Sequence, residues 1–116
     1  MADKTIFSRI IDGEIPGTFV YQDDDVVAIR DIHPAAPVHV LVIPRRPIPS
    51  LAELADDDVE LAGRILLAVR TIAEQEGLAE RGYRVVLNTG REGGQTVPHL
   101  HFHILGGRQL TGHGTA

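Results

Sequence analysis

The stretch that decides the fold is Pro98-His99-Leu100-His101-Phe102-His103-Ile104-Leu105-Gly106-Gly107. Three histidines alternate with Leu, Phe and Ile, and successive side chains of a β-strand point to opposite faces. A strand here would place His99, His101 and His103 on one face and apolar side chains on the other, against the core. The apolar face would set the register, and the register would aim the imidazoles. The alternation therefore predicts a strand with a chemically active face.

The segments that precede this stretch carry short strand patterns and two helical patterns. Apolar residues at helical spacing, with Thr5 as a candidate N-cap, predict a short helix over residues 5–12. A longer helix is predicted over residues 58–76, where apolar residues recur every three or four positions, and Ser50 and Glu53 before it have capping-box spacing. Four strands are predicted from β-branched content and turn signals: Thr18–Gln22, Val26–Arg30, Val38–Ile43 and Tyr83–Thr89.

Together with the histidine strand, these elements predict an α+β fold with a mostly antiparallel five-stranded sheet, one long helix and one short helix. The Gly-rich turn Gly90–Gln95 favours a hairpin between Tyr83–Thr89 and the histidine strand. We expect this last strand at an edge of the sheet, where a second copy could pair with it. Residues 1–116 are expected to form one domain, with an irregular tail over about 108–116.

Composition excludes several classes of protein. The 116 residues carry a net charge of −5, which argues against a basic groove for nucleic acid. The chain contains no cysteine, so disulfides and thiolate metal sites are excluded. No apolar run approaches bilayer length, so we expect no membrane span and a cytoplasmic location.

Two kinds of chemistry suit a row of imidazoles. Alternating histidines could supply two zinc ligands, with a third from His39 or a carboxylate, but no set of acids that would orient them is obvious nearby. Covalent phosphorus chemistry is favoured, with His101 attacking a phosphoryl or nucleotidyl group. A backbone carbonyl that accepts its Nδ1–H would leave Nε2 free to attack. The backbone N–H groups of the preceding Gly93–Thr96 turn could approach a phosphate closely.

The histidine stretch also resembles a known family. His99–Leu105 is similar to the alternating signature of the histidine triad (HIT) superfamily, and further segments resemble its Hint branch in the same order: Ile6–Ile11, Asp31–Pro44, Tyr83–Asn88, Gly93–Thr96 and Leu105–Gln109. The resemblance implies a HIT-like fold whose sheet continues across a homodimer, with a purine nucleoside monophosphate bound to each subunit. It also implies hydrolysis of nucleoside phosphoramidates, such as adenosine 5'-phosphoramidate and AMP–lysine, through a nucleotidyl-histidine. No cofactor and no metal are implied.

The resemblance assigns roles to particular residues. His101 is implied as the nucleophile, His103 and His39 as phosphate ligands, His99 as a residue that shapes the site, and Thr96 as an aid to the leaving amine. The remaining residues are implied to hold the nucleotide: Asn88, Gly94 and Gln95 at the phosphate or ribose, Asp31 at the ribose hydroxyls, and Ile32 and Phe7 against the base.

Two features separate this sequence from some relatives. The tail Leu110–Ala116 has no Trp to shape the preference for the leaving group, and Thr96 stands where the family often has Ser. Two alternative functions stay open. One is a dinucleoside polyphosphate hydrolase, which shares the signature, and the other is a nucleotide sensor or scaffold whose catalysis is incidental.

Overall fold

The computed structural model describes residues 4–113, with two α-helices and five strands. In chain order the elements are α1 (Ile6–Ile11), β1 (Phe19–Gln22), β2 (Val26–Arg30), β3 (Val38–Pro44), a 3₁₀ turn (Leu51–Glu53), α2 (Val59–Gln75), β4 (Arg84–Val86) and β5 (Phe102–Gly106). Residues 114–116 of the predicted tail lie outside the described residues, and 107–113 contain no helix or strand. No helix over residues 4–113 is both long and apolar enough to cross a membrane.

The five strands form one antiparallel sheet in the order β1-β2-β3-β5-β4. The predicted α+β class and the predicted pairing of β4 with β5 are therefore confirmed. The prediction that the last strand lies at an edge is wrong, because β5 is hydrogen-bonded to β3 on one side and to β4 on the other. The edges are β1 and β4, so β4 is the edge next to the histidine strand.

The sheet separates two clusters of buried side chains. Val40, Val42 and Ile104 face α2 and pack against the apolar stripe of that helix, as its spacing predicts. The alternate residues of β3, Leu41 and Ile43, face the other way and pack with α1. His39 and His103 lie on this second side, because the side-chain period of a strand is two. The core on the α2 side thus fixes which way the histidines point.

The histidine strand begins later than predicted. β5 starts at Phe102, and its pairing with β3 ends at Val42 opposite Phe102. Pro44 lies two residues after Val42 in β3, and it has no N–H to donate to a further ladder bond. The N–H of Leu100 instead bonds the carbonyl of Ile48 in the following loop at 2.7 Å. His99 and His101 therefore lie in an irregular segment directly before the strand rather than within it.

Two of the residues that the sequence marks as helix starts, Thr5 and Ser50, cap a helical segment in the structure. The Thr5 hydroxyl accepts the N–H of Ser8 and caps α1, and Ser50 accepts the N–H of Ala52 at the start of the 3₁₀ turn. The helix predicted over 58–76 extends over Val59–Gln75. Asp58 at its start accepts the N–H of Ala55 instead of capping α2 itself.

Candidate active site

The centre of the candidate site is a pair of imidazoles from neighbouring strands. In the β3–β5 ladder, Leu41 lies opposite His103. His39, two residues before Leu41, is therefore the diagonal neighbour of His103 on the same face of the sheet. The His39 Nε2 and His103 Nδ1 atoms lie 2.9 Å apart, within hydrogen-bond distance. The sheet register thus joins two histidines that are 64 residues apart in the chain.

The hydrogen-bond partners of His39 determine where the protons of this pair lie. The backbone N–H of Ala35 donates to His39 Nδ1 at 3.0 Å, so this nitrogen carries a lone pair. A neutral His39 then carries its proton on Nε2 and donates it to His103 Nδ1. His103 in turn must carry its own proton on Nε2, which leaves that N–H as a donor. A donor of this kind suits a phosphate oxygen.

The same reasoning identifies a free lone pair on His101. Its Nδ1 lies 2.7 Å from the carbonyl oxygen of His99, and a carbonyl can only accept, so Nδ1 carries the proton. Nε2 of the neutral ring is therefore unprotonated and able to act as a nucleophile. The ring packs edge-on against Phe7 at a centroid distance of 4.8 Å and lies 5.1 Å from the ring of His103.

His99 does not share one exposed face with His101 and His103, contrary to what the alternation predicts. Its side chain is fully buried, and its Nε2 donates to the carbonyl of Pro44 at 2.8 Å. Its Nδ1 lies 3.2 Å from the Thr5 hydroxyl and 3.3 Å from the Ser8 hydroxyl. His99 therefore connects the start of α1 to the end of β3, and it supplies its carbonyl rather than its ring to His101. The contribution of Ser8 had no signal in the sequence.

All four imidazoles are held in the neutral form. Burial lowers the pKa of His99 and of His101 below the ordinary value. Burial also lowers the pKa of His39, against the opposing charge of Asp31. For His103, burial and the proximity of His101 and His39 lower the pKa to about 4. A neutral nucleophile and a neutral donor next to it are therefore available at pH 7.

The residues implied to hold the nucleoside lie around this cluster. Asp31 directly follows β2, and its Oδ2 lies 3.5 Å from His39 Nε2, while its Oδ1 accepts the N–H of His33. The Ile32 side chain is 84% exposed, which is unusual for a large apolar residue. Phe7 is buried beside His101. The structure thus brings Asp31 and Phe7 to the histidines and leaves Ile32 available for an apolar ligand.

The residues implied to contact the phosphate group have different surroundings: Asn88, Gly94 and Gln95 lie in or beside the Gly-rich turn, and Thr96 lines a cavity. The Asn88 amide donates to the carbonyl of Gly93 at 2.8 Å, and Gly94 has a φ of +78°, which suits glycine. The amide of Gln95 bonds three backbone groups, those of Gly90, Pro49 and Val97, so it holds the turn together. Thr96 is exposed and lines a cavity of about 380 Å³ beside Thr5 and Pro98.

The sequence matches the HIT domain family over residues 12–110. The chain belongs to the HIT family. The purine nucleoside phosphoramidase of Escherichia coli strain K12 is 53% identical over 110 residues, which are 95% of this HIT chain and 92% of that protein. The resemblance inferred from the histidine stretch is thereby confirmed.

Solved structures give the same assignment for the fold. A HIT family hydrolase of Legionella pneumophila superposes with a TM-score of 0.90 at 47% identity, and covers 93% of this HIT chain and 96% of that one. A histidine triad protein of Clostridium difficile superposes with a TM-score of 0.91 at 41% identity, with 98% and 100% covered. The five-stranded antiparallel sheet with two helices is therefore the HIT fold.

One group of side chains in this HIT chain has the atoms of a metal site. Potential ligand atoms of Asp31, His39 and His103 lie within 4.8 Å of one another. The His39 Nε2 and His103 Nδ1 atoms already share a hydrogen bond. A cation held by these two nitrogens would have to displace the proton between them, so that mode of metal binding is incompatible with the tautomers described above.

Stability of the HIT chain should decrease as the pH is lowered from about 6.5 to about 4. The unfolded state binds a proton on each buried histidine near pH 6.5, while the folded state resists protonation until lower pH. The unfolded state therefore holds more protons in this window, and acidification favours it. Urea unfolding at several pH values measures the effect, and His103→Asn should show a shallower dependence on pH. An equal dependence in that variant would contradict the assignment.

Proposed function

We propose that this chain hydrolyses purine nucleoside phosphoramidates through a nucleotidyl intermediate on His101. One observation carries the proposal: the Nδ1–H of His101 is bound to a backbone carbonyl, which leaves Nε2 as a free nucleophile beside a donor imidazole. Support also comes from the identity of 53% with a purine nucleoside phosphoramidase. A purine nucleoside monophosphate and its phosphoramidates are the proposed ligands, and a cytoplasmic location is proposed for a chain without cysteine.

The proposed reaction has two displacements at phosphorus. In the first, His101 Nε2 attacks phosphorus and a histidine N–P bond forms. The substrate P–N bond breaks, its electron pair leaves with the amine, and the amine takes up a proton from solvent. In the second, water attacks phosphorus, loses a proton to solvent and displaces Nε2, which releases the nucleoside monophosphate. The His101 ring becomes cationic in the intermediate, and its Nδ1–H bond to the His99 carbonyl then becomes charge-assisted and stronger.

The other proposed roles combine the observed contacts with the roles that the resemblance to the HIT family implies. His103 offers its Nε2–H to a non-bridging oxygen, and His39 holds that tautomer through the 2.9 Å bond. Asp31 is proposed to accept the ribose hydroxyls, with Phe7 and Ile32 against the base. Thr96, Asn88 and Gly94 are proposed at the phosphate and leaving group. For Gln95 we propose an indirect role, since its amide is bonded to the turn.

The substrate class can be tested by comparing kcat/KM for adenosine 5'-phosphoramidate and diadenosine tetraphosphate. A clear preference for the phosphoramidate is expected, and the reverse order would favour the dinucleoside polyphosphate hydrolase. The rates should be equal with and without exhaustive chelation, because the proposed steps use only imidazoles and water. Loss of turnover after chelation, restored by added Zn²⁺, would instead assign catalysis to a metal.

We also propose a homodimer in which the sheet continues from β4 into a second copy. Two described surfaces support this proposal. The edge strand β4 carries Val85, 41% exposed, on the face that α2 covers, since it pairs with Ile104. The outer side of α2 carries Val59, Leu66 and Leu67, which are exposed by 73%, 56% and 52%. Exposed apolar side chains beside an unpaired strand edge favour pairing with another chain.

The substitution Val85→Lys should convert the dimer to a monomer. It places a charge on the unpaired edge strand, where a second strand would bury it without a partner. Sedimentation velocity at micromolar concentration measures the change. Phe19→Lys is the matched control, because Phe19 is an exposed apolar residue on the opposite edge strand, β1. A dimer that persists in Val85→Lys, or dissociates equally in Phe19→Lys, would contradict this interface.

A further inference from the structure

We propose that the hydroxyl groups of Thr5 and Ser8 are interchangeable hydrogen-bond donors that position the nucleophile His101 through His99. The inference rests on the proposed function, because it concerns the step in which His101 attacks phosphorus. Both hydroxyls lie within hydrogen-bond distance of the His99 ring rather than at the reacting atoms, so both residues are positioning residues. They lie at the start of α1, three positions apart, and side chains at this spacing are neighbours on a helix.

The ring of His99 needs a hydrogen-bond donor at one of its nitrogens. Its Nε2 lies 2.8 Å from the carbonyl oxygen of Pro44, and a carbonyl can only accept, so Nε2 carries the proton. Nδ1 of the neutral ring therefore has a lone pair, and the side chain is fully buried. A buried acceptor that has lost its water and has no protein donor is costly. A hydroxyl proton must therefore supply the bond to Nδ1.

Two hydroxyls lie at this single lone pair. Thr5 Oγ1 is 3.2 Å and Ser8 Oγ is 3.3 Å from His99 Nδ1, and the two oxygens are 3.4 Å apart. Each hydroxyl has one proton to donate and can also accept a hydrogen bond. Either one can therefore donate to the ring while the other bonds its neighbour. Loss of one hydroxyl leaves the ring with a donor, and loss of both leaves a buried acceptor unpaired.

The position of the His99 ring is coupled to His101 through the main chain. The carbonyl oxygen of His99 lies 2.7 Å from Nδ1 of His101 and holds the tautomer that frees Nε2. Because β5 begins only at Phe102, the backbone of His99 is outside the strand, and the bonds of its ring to Pro44 and to α1 anchor it. A displaced ring would move the carbonyl and release the tautomer of His101.

A ring contact from the same helix supports this role of α1. Phe7 packs edge-on against both histidines, at centroid distances of 6.2 Å to His99 and 4.8 Å to His101. Phe7 lies between Thr5 and Ser8 in the sequence, so this short segment contacts both imidazoles. The start of α1 thus holds the pair by hydrogen bonds on one ring and by packing on both.

The variants Thr5→Val and Ser8→Ala, made singly and together in the full chain, test the proposal. Each single variant should lower kcat for adenosine 5'-phosphoramidate by less than about threefold, because one donor remains. The double variant should lower kcat by about 10–100-fold, as expected when a buried acceptor loses every donor, with KM little changed. The excess over the product of the two single effects measures the interchangeability of the hydroxyls.

The ring N–H signals in NMR spectra provide a second readout that does not depend on turnover. The Nδ1–H of His101 should exchange slowly with water in the wild type and in both single variants, because it is bonded to the His99 carbonyl. In the double variant it should exchange rapidly. Since this measurement needs no substrate, failure of the proposed phosphoramidase activity and failure of this inference are distinguishable.

The combination of Thr5→Val with Ser50→Ala is the matched control. Thr5 and Ser50 each cap a helical segment through a hydroxyl, so this variant also loses two hydroxyls, but it retains Ser8 as a donor to His99. It should behave like Thr5→Val alone. An equal loss of kcat in this control would overturn the proposal, because the effect would then come from lost caps. So would a double variant no worse than the product of the single variants, or one with unchanged exchange at His101.

Thermal unfolding shows whether each variant folds. If Thr5→Val with Ser8→Ala does not fold, Thr5→Val with Ser8→Cys takes its place, because a thiol fills the space of the hydroxyl and is a weaker donor. The expected result is then a loss of kcat larger than that of Thr5→Val alone, with faster exchange of the His101 Nδ1–H. A loss no larger than that of Thr5→Val alone would contradict the proposal.

Discussion

The variant His101→Asn should lose turnover of adenosine 5'-phosphoramidate by about 10⁴-fold or more, as expected when a covalent nucleophile is removed. The ring of His101 is buried between Phe7 and His103, so no other described imidazole can take its place at the same point. AMP binding should persist, because the groups proposed to hold the nucleoside and phosphate remain. Steady-state kinetics and calorimetric titration with AMP measure the two effects separately.

A matched histidine substitution provides the control for this result. His113 is exposed and lies outside the candidate site, so His113→Asn should keep both turnover and AMP binding. Retained turnover in His101→Asn would contradict the assignment of the nucleophile. Loss of AMP binding together with turnover would show instead that the substitution damages the pocket, which a comparison of thermal unfolding would detect.

Gly93→Ala should lower both stability and activity. A Cβ at this position would lie well inside van der Waals distance of the Thr89 carbonyl, a backbone group that cannot swing aside. The turn would have to move, and with it the 2.8 Å bond from Asn88 to the Gly93 carbonyl. Overpacking of this kind lowers the free energy of unfolding by about 1–3 kcal/mol. Chemical unfolding and kcat/KM for the phosphoramidate measure the two losses.

The same substitution in a helix separates the effect of the turn from that of glycine itself. Gly63 lies on the exposed side of α2, and a Cβ there would meet nothing within 4 Å. Gly63→Ala should therefore stabilise the protein by about 0.8–1 kcal/mol through helix propensity and leave turnover unchanged. A Gly93→Ala variant as stable and active as wild type would show that the turn is not rigid enough to position a phosphate.

The alternation of the histidines correctly predicted which side chains lie on each face of the sheet, but it did not predict where the strand begins. Apolar residues between the histidines pack against α2, as expected, and this places His101 and His103 on the opposite side. The ladder nevertheless ends at Phe102, since the N–H of Leu100 bonds the carbonyl of Ile48. That bond joins residues far apart in sequence, so local periodicity could not reveal it.

The chemical details of the site were also beyond local pattern. The resemblance to the HIT family pointed to His39, but its tautomer depends on the N–H of Ala35, a contact made by a loop. The buried position of the His99 ring depends on the carbonyl of Pro44 and on the hydroxyls of Thr5 and Ser8 at the start of α1. The position of β5 between β3 and β4 follows from tertiary pairing and not from its place at the end of the chain. Residue identities were readable from sequence, while their hydrogen-bond partners required the fold.

The most direct test of the covalent route is mass spectrometry of the enzyme quenched during turnover of adenosine 5'-phosphoramidate. Digestion should yield a peptide that contains the segment from His99 to His103, heavier by one adenylyl group, with fragment ions that place the group on His101. The adduct should be acid-labile, as a phosphoramidate is, and absent from His101→Asn. Rapid turnover without any adduct on that peptide, or an adduct on another residue, would contradict the proposed mechanism.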